Sequence, residues 1–139
     1  MSVVSNISEV EFGANLPVFD PDTSMANVRR FTAAARWDGP RFNDHEAARA
    51  EGLPGALLPG IMSQGLLAAM IHRWAPDGEI INIDTVFRAP VLVDETYHIN
   101  GVVTDIDSDD CTVEIDLTIV NDAGENRVFG TAMVRLPPG

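Results

Sequence analysis

The chain contains no lysine. Its nine basic residues are all arginine and face 21 acids, for a formal net charge of −12. That balance argues against a nucleic-acid partner, whose phosphates would be repelled. A phosphate-bearing small molecule would have to rely on a few local arginines. Cysteine is nearly absent too. Cys111 stands alone, which excludes an intrachain disulfide framework and suits a reducing, cytoplasmic setting. It and the three histidines show no metal-ligand spacing. Apolar runs stay far below the ~20 residues of a membrane helix. The opening MSVVSNISEV lacks the basic-then-apolar order of a secretory leader. The glycines between Gly52 and Gly60 form no phosphate loop, and no serine sits in a nucleophile elbow. No bound cofactor and no membrane contact are expected.

What remains is an acidic chain of 139 residues, 45% hydrophobic, enough for one domain over residues 1–139 with a sizeable core. The pattern along it is α+β. Residues 1–8 are polar and read as a loose N-terminus, and residues 9–21 as a lead-in with a short strand. Thr23 or Ser24 can cap a helix over 25–35 that puts Val28 and Phe31 on one face. Gly39 and Pro40 break residues 36–43 into a loop. Asp44 caps a short helix over 45–51, closed by Gly52. Residues 60–74 form the longest helix, apolar nearly all round (Ile61, Met62, Leu66, Leu67, Met70, Ile71), as a helix wrapped by a sheet would be. The period then switches to two. Strands are expected over 80–87, 96–106, 112–120 and 126–136, with Val113, Ile115, Leu117 and Ile119 facing the core. Turns at 107–110 and 121–124 make hairpins.

Residues 31–53 read FTAAARWDGPRFNDHEAARAEGL. This segment resembles the signature of the MaoC-like hydratase/dehydratase family, roughly Y-A-x-x-S-G-D-x-N-P-x-H-x-D-x-x-x-A-x-x-x-G-F. Without gaps, Phe31 takes the Tyr place, and Pro40, Asp44, Ala48, Gly52 and Leu53 fall on the pattern or near it. Residues 56–65, ALLPGIMSQG, resemble the loop P-I-x-H-G-M-x-T-x-G, with Pro59 at the loop His. Residues 86–96, VFRAPVLVDET, resemble F-x-x-P-V-x-x-G-D-T, with Asp94 at the Gly. The match spans about residues 9–136. It implies a single hot-dog fold, an antiparallel sheet wrapped around a long central helix. It also implies an acyl thioester ligand carried by coenzyme A or acyl carrier protein, and a homodimer or a heteromer with another hot-dog chain.

The two family acids are missing. Trp37 holds the Asp position and Phe42 the His position. In the family, a backbone N–H at the start of the central helix polarises the thioester carbonyl, helped by the helix dipole. The Asp/His pair then moves protons between water and the substrate carbons. By resemblance the amide donor is that of Gly60, which no side-chain change can remove. Trp37 and Phe42 supply no proton-transfer group. The candidate substrate-binding residues are therefore Trp37, Phe42, Leu58, Pro59, Gly60, Ile61 and Arg88. Trp37 and Phe42 can line an apolar pocket or plug it. Arg88 is either a group at the mouth of a coenzyme A site or an ordinary strand arginine. Two residues could replace the lost acids, Asp38 and His45. The simpler readings are a solvated loop carboxylate for Asp38 and a surface imidazole in a helix's first turn for His45.

Three functions fit. The chain is a dyad-less subunit of a hydratase or dehydratase whose acids lie on a partner, with a bulky acyl group as substrate. Or it is a lyase-like or isomerising enzyme that works with an apolar pocket and Asp38. Or it binds an apolar ligand without turnover.

Overall fold

The computed structural model describes residues 3–37 and 39–139. Four helices precede four strands: α1 (Met25–Ala35), α2 (Pro40–Asn43), α3 (His45–Ala50), α4 (Gly60–Trp74), β1 (Glu79–Phe87), β2 (Tyr97–Asp107), β3 (Thr112–Asn121) and β4 (Asn126–Arg135). The strands form one antiparallel sheet in the order β1-β4-β3-β2. The α+β class and the sheet-and-helix arrangement agree with the sequence.

The sheet lays its apolar face on α4. Val113, Ile115, Leu117 and Ile119 of β3 are buried, as period two requires, together with Val128, Ala132 and Val134 of β4. From α4 they meet Leu67, Met70, Ile71 and Trp74. Each such large side chain taken fully from water is worth roughly 1.5–3 kcal/mol. The sheet does not wrap α4 on all sides. Ile61 is 53% exposed, and Gly65, His72 and Arg73 face out. The apolar side chains on that flank are left for something else to cover.

The two sheet edges differ. The outer edge of β2 is covered by the lead-in: Gly13 N–H donates to Val103, Leu16 N–H to Gly101, and Phe19 and Ile99 exchange both bonds. This is the short strand expected in residues 9–21, present as isolated bridges. The outer edge of β1 has no such cover among the described residues, and Ile81, Val86 and Phe87 on it are 42%, 51% and 53% exposed.

Two expectations need correction. The N-terminus expected to be loose over residues 1–8 is held in its described part, residues 3–8, while residues 1 and 2 lie outside the described residues. Val4 and Ile7 are buried, Val4 N–H donates to the Trp74 carbonyl at the end of α4, and Ile7 N–H donates to Pro137. Two apolar residues in a polar stretch suffice to pin it, because they fall where α4 and the C-terminus leave room and open carbonyls. Within the expected loop 36–43, residues 40–43 form a turn of helix, α2, because Pro40 at its first position costs no hydrogen bond there. Of the two cap candidates, Ser24 caps α1, its hydroxyl accepting from Asn27 N–H, while the Thr23 hydroxyl donates to the Glu95 carbonyl.

Candidate functional site

The N-terminus of α4, unlike those of α1 and α3, has no side-chain cap. Its N-cap is Pro59, which lacks both donor and acceptor side-chain groups. The Gly60 and Ile61 amides find no acceptor among the described residues. A helix start with open N–H groups and the positive end of the dipole favours a negative or polarised oxygen. Beside it lies a cavity of about 360 Å³ whose walls include Phe42, Leu58, Gly60, Ser63, Phe87 and Arg88. Four of the expected substrate-binding residues thus meet in one place: Phe42, Leu58, Gly60 and Arg88.

The backbone of this site is firmly held. Leu57 N–H donates to Arg41, Leu58 N–H to Val91 at 2.7 Å, and Val93 N–H to Ala56. The run 56–58 is therefore fastened to the segment 91–93 just before it enters α4. Gly60 lets the Phe87 ring pack close, since a Cβ there would lie 3.2 Å from Phe87 Cζ and the ring would have to shift by a few tenths of an ångström. Among the described residues, no carboxylate or imidazole lines the cavity. The charged group that the described residues place there is the Arg88 guanidinium, exposed and without an ion-pair partner among them.

The other expected residues fall outside the cavity wall. Trp37 is 41% exposed and reaches the site only through Phe42, the ring centroids 6.0 Å apart and the planes at 60°. Trp37 therefore backs the pocket wall instead of forming it, because Arg36 ends α1 in the left-handed conformation and turns the chain outward. Pro59 is buried under the helix start, and Ile61 points away to solvent. Asp38 lies outside the described residues. Sequence reasoning missed Ser63 and Phe87 as wall residues, although both stand inside quoted motifs: Ser63 keeps the helix-start frame and Phe87 opens the F-R-A-P run.

His45 has no free nitrogen to offer as a catalyst. Its Nδ1 lies 3.0 Å from the Ala56 nitrogen and accepts that N–H, and its Nε2 lies 2.8 Å from Asp94 Oδ2. An imidazole that accepts a backbone N–H on Nδ1 carries its proton on Nε2 and donates it to the carboxylate. The other Asp94 oxygen accepts Met25 N–H at the start of α1 at 2.9 Å. The hydrogen bond from His45, followed by that from Met25, holds the Asp94 carboxyl below its ordinary range. Asp94 also sits at φ 69°, in the left-handed region. That explains the glycine of the resembled motif at this position, and it was the available signal for a special backbone there.

Two further hollows do not reach Gly60. One of about 550 Å³ runs between α1 and α4 past Phe31, Met62 and Leu66. The other, about 370 Å³, lies between Pro54, Tyr97 and Arg127.

No family model and no curated protein matches this chain. Solved structures do. The chain superposes on the R-hydratase PhaJ1 from Pseudomonas aeruginosa with a TM-score of 0.89 at 19% identity, covering 97% of this chain and 87% of that one. On the ChsH1-ChsH2 complex from Mycobacterium tuberculosis the TM-score is 0.83 at 20% identity, over 91% of this chain and 98% of the other. On a MaoC-like dehydratase from Rhodospirillum rubrum it is 0.77 at 16% identity, over 96% and 98%. The fold is accordingly the hot-dog fold, as found in MaoC-like dehydratases and (R)-hydratases.

Proposed function

We propose that this chain is a hydratase-like hot-dog subunit that binds an acyl thioester at the start of α4 and does not itself hydrate it. The observation that carries this reading is the composition of one cavity: the open Gly60 amide at the start of α4 on one side, Phe42 and Phe87 on the others, and no carboxylate or imidazole in the wall among the described residues. A thioester carbonyl suits that arrangement, because its oxygen takes the amide donors and its acyl group takes the aromatic walls. The exposed Arg88 at the rim can meet a coenzyme A phosphate. The missing proton-transfer groups then belong to a partner. The β1 edge, uncovered among the described residues, with its exposed Ile81, Val86 and Phe87, and the exposed Ile61 on α4 support a second hot-dog chain as the cover. Among proteins of the same fold, ChsH1-ChsH2 is a complex of two named chains.

The test is a titration of the purified chain with crotonyl-CoA, following both binding and loss of enoyl absorbance. Binding with negligible turnover is expected. Hydration near ~10 s⁻¹, an ordinary enzyme rate, would overturn the reading, and so would absence of binding. Assembly is checked separately by light scattering at low micromolar concentration. At least twice the 15.0 kDa chain mass is expected, for the chain alone or with its co-purifying partner. A monomer that stays folded on dilution would remove the paired-chain part of the proposal.

A further inference from the structure

The structure assigns His45 the part of a positioning residue: its neutral imidazole fixes the loop that delivers the Gly60 amide to the cavity. Four segments converge on it and its carboxylate partner. His45 itself opens α3, Ala56 opens the run into α4, Asp94 closes the segment 91–93, and Met25 opens α1. The imidazole is a two-sided bridge. It accepts from Ala56 on Nδ1 and donates to Asp94 on Nε2, so its tautomer is set by what lies on each side. Gly55 makes the approach possible, since a Cβ there would lie 3.2 Å from Nδ1.

The consequence reaches the site in four residues of chain. Ala56 is held from its N–H by His45 and from its carbonyl by Val93 N–H. Leu58 is held by the Val91 carbonyl, and Pro59 follows as the buried N-cap. Without the imidazole, a buried amide at Ala56 would lose its acceptor, and the run would keep its ties to Arg41, Val91 and Val93 but lose the one at its start. An unpaired buried donor is disfavoured strongly enough to make the segment rearrange or admit water. Because a carbonyl is polarised only by donors held in place, the position of this run matters to binding even though His45 touches no ligand. This deepens the thioester reading and rests on it for the ligand, but the loop's dependence on His45 stands by itself.

The experiment compares His45→Leu with His45→Gln by amide hydrogen exchange and ¹⁵N NMR. Gln keeps one acceptor and one donor, whereas Leu keeps bulk and loses both. In the wild type the imidazole nitrogens should show Nε2–H and an accepting Nδ1. Protection of the Ala56 amide should fall in His45→Leu by roughly threefold to tenfold, the loss of one hydrogen bond, and recover in His45→Gln. Crotonyl-CoA affinity should follow the same order. An Nδ1–H tautomer in the wild type, or unchanged Ala56 protection in His45→Leu, would overturn the inference. Should His45→Leu fail to fold, Asp94→Gly serves instead, since glycine suits the φ of 69° there. It should lower Ala56 protection by removing the group that holds the tautomer, and unchanged protection would again count against the inference. If the wild type ignores crotonyl-CoA, the thioester reading fails while the exchange data still decide the role of His45.

Discussion

The two sides of the cavity are built from different material. The α4 side is backbone: the Gly60 and Ile61 amides, carried by a run that Val91 and Val93 fasten. The opposite side is side chain: Phe42 is in the wall and Trp37 behind it, while His45 is taken up in a structural bridge. A donor made of backbone survives any substitution that keeps the helix. A proton shuttle made of side chains is erased by two. The difference accounts for a chain that keeps the hot-dog fold and an open amide at the start of α4 while its cavity wall, among the described residues, carries aromatic and aliphatic side chains with Ser63 and Arg88 but no carboxylate or imidazole.

The comparison can be broken by restoring the second side. Trp37→Asp with Phe42→His returns an acid and a base to the two positions that the resembled signature gives them. General acid–base catalysis is typically worth ~10²–10⁴-fold, so hydration of crotonyl-CoA should rise by that order in the double variant. Each single change should do little, because such groups act as a unit. A third change, Pro59→His, tests whether the loop imidazole is also needed. A double variant that folds, binds crotonyl-CoA and remains inert would mean that position 37 is too far behind the wall. The outward turn at Arg36 supplies the physical reason to watch for that result.

Much of this was legible in the sequence. The period-two run Val113, Ile115, Leu117, Ile119 gives β3, and the three resembled segments name seven binding residues, of which Phe42, Leu58, Gly60 and Arg88 meet at one cavity. What escaped was set by tertiary contacts that a local pattern does not encode. Trp37 and Phe42 are five positions apart in one motif, yet a left-handed Arg36 sends one outward and a tolerant Gly39 lets the other in. Asp94 read as a poor match to a glycine, whereas its carboxylate joins α1 to His45. Val4 and Ile7 looked like strays in a polar tail until the end of α4 and Pro137 supplied their partners.

A smaller effect sharpens the comparison by pH. The side-chain wall is tied down through Asp94, whose carboxyl is held below its ordinary value first by His45 and then by the Met25 amide. At the covered edge of the sheet, His98 joins Asp20 to Asp122 at 2.8 Å and 3.0 Å, and the two carboxylates, Asp20 first, raise its pKa. The signs are opposite. A lowered carboxyl adds stability above its unfolded pKa and loses it as the pH falls through the folded value. A raised imidazole adds stability in full below its unfolded pKa and loses it as the pH rises through the folded value. The Asp94 tie should therefore weaken only in acid, and the His98 clamp only toward neutral and alkaline pH. Melting temperatures of wild type and His98→Gln should differ most at mildly acidic pH and converge as the pH climbs past the ordinary histidine value of about 6.5. Asp94→Asn should differ from wild type above the ordinary carboxylate value of about 4 and converge below it. Both groups are solvent-exposed, so the shifts will be small. A His98→Gln difference that stays near zero from mildly acidic to neutral pH would show that the edge is held by its backbone bonds alone, as the α4 side of the cavity is.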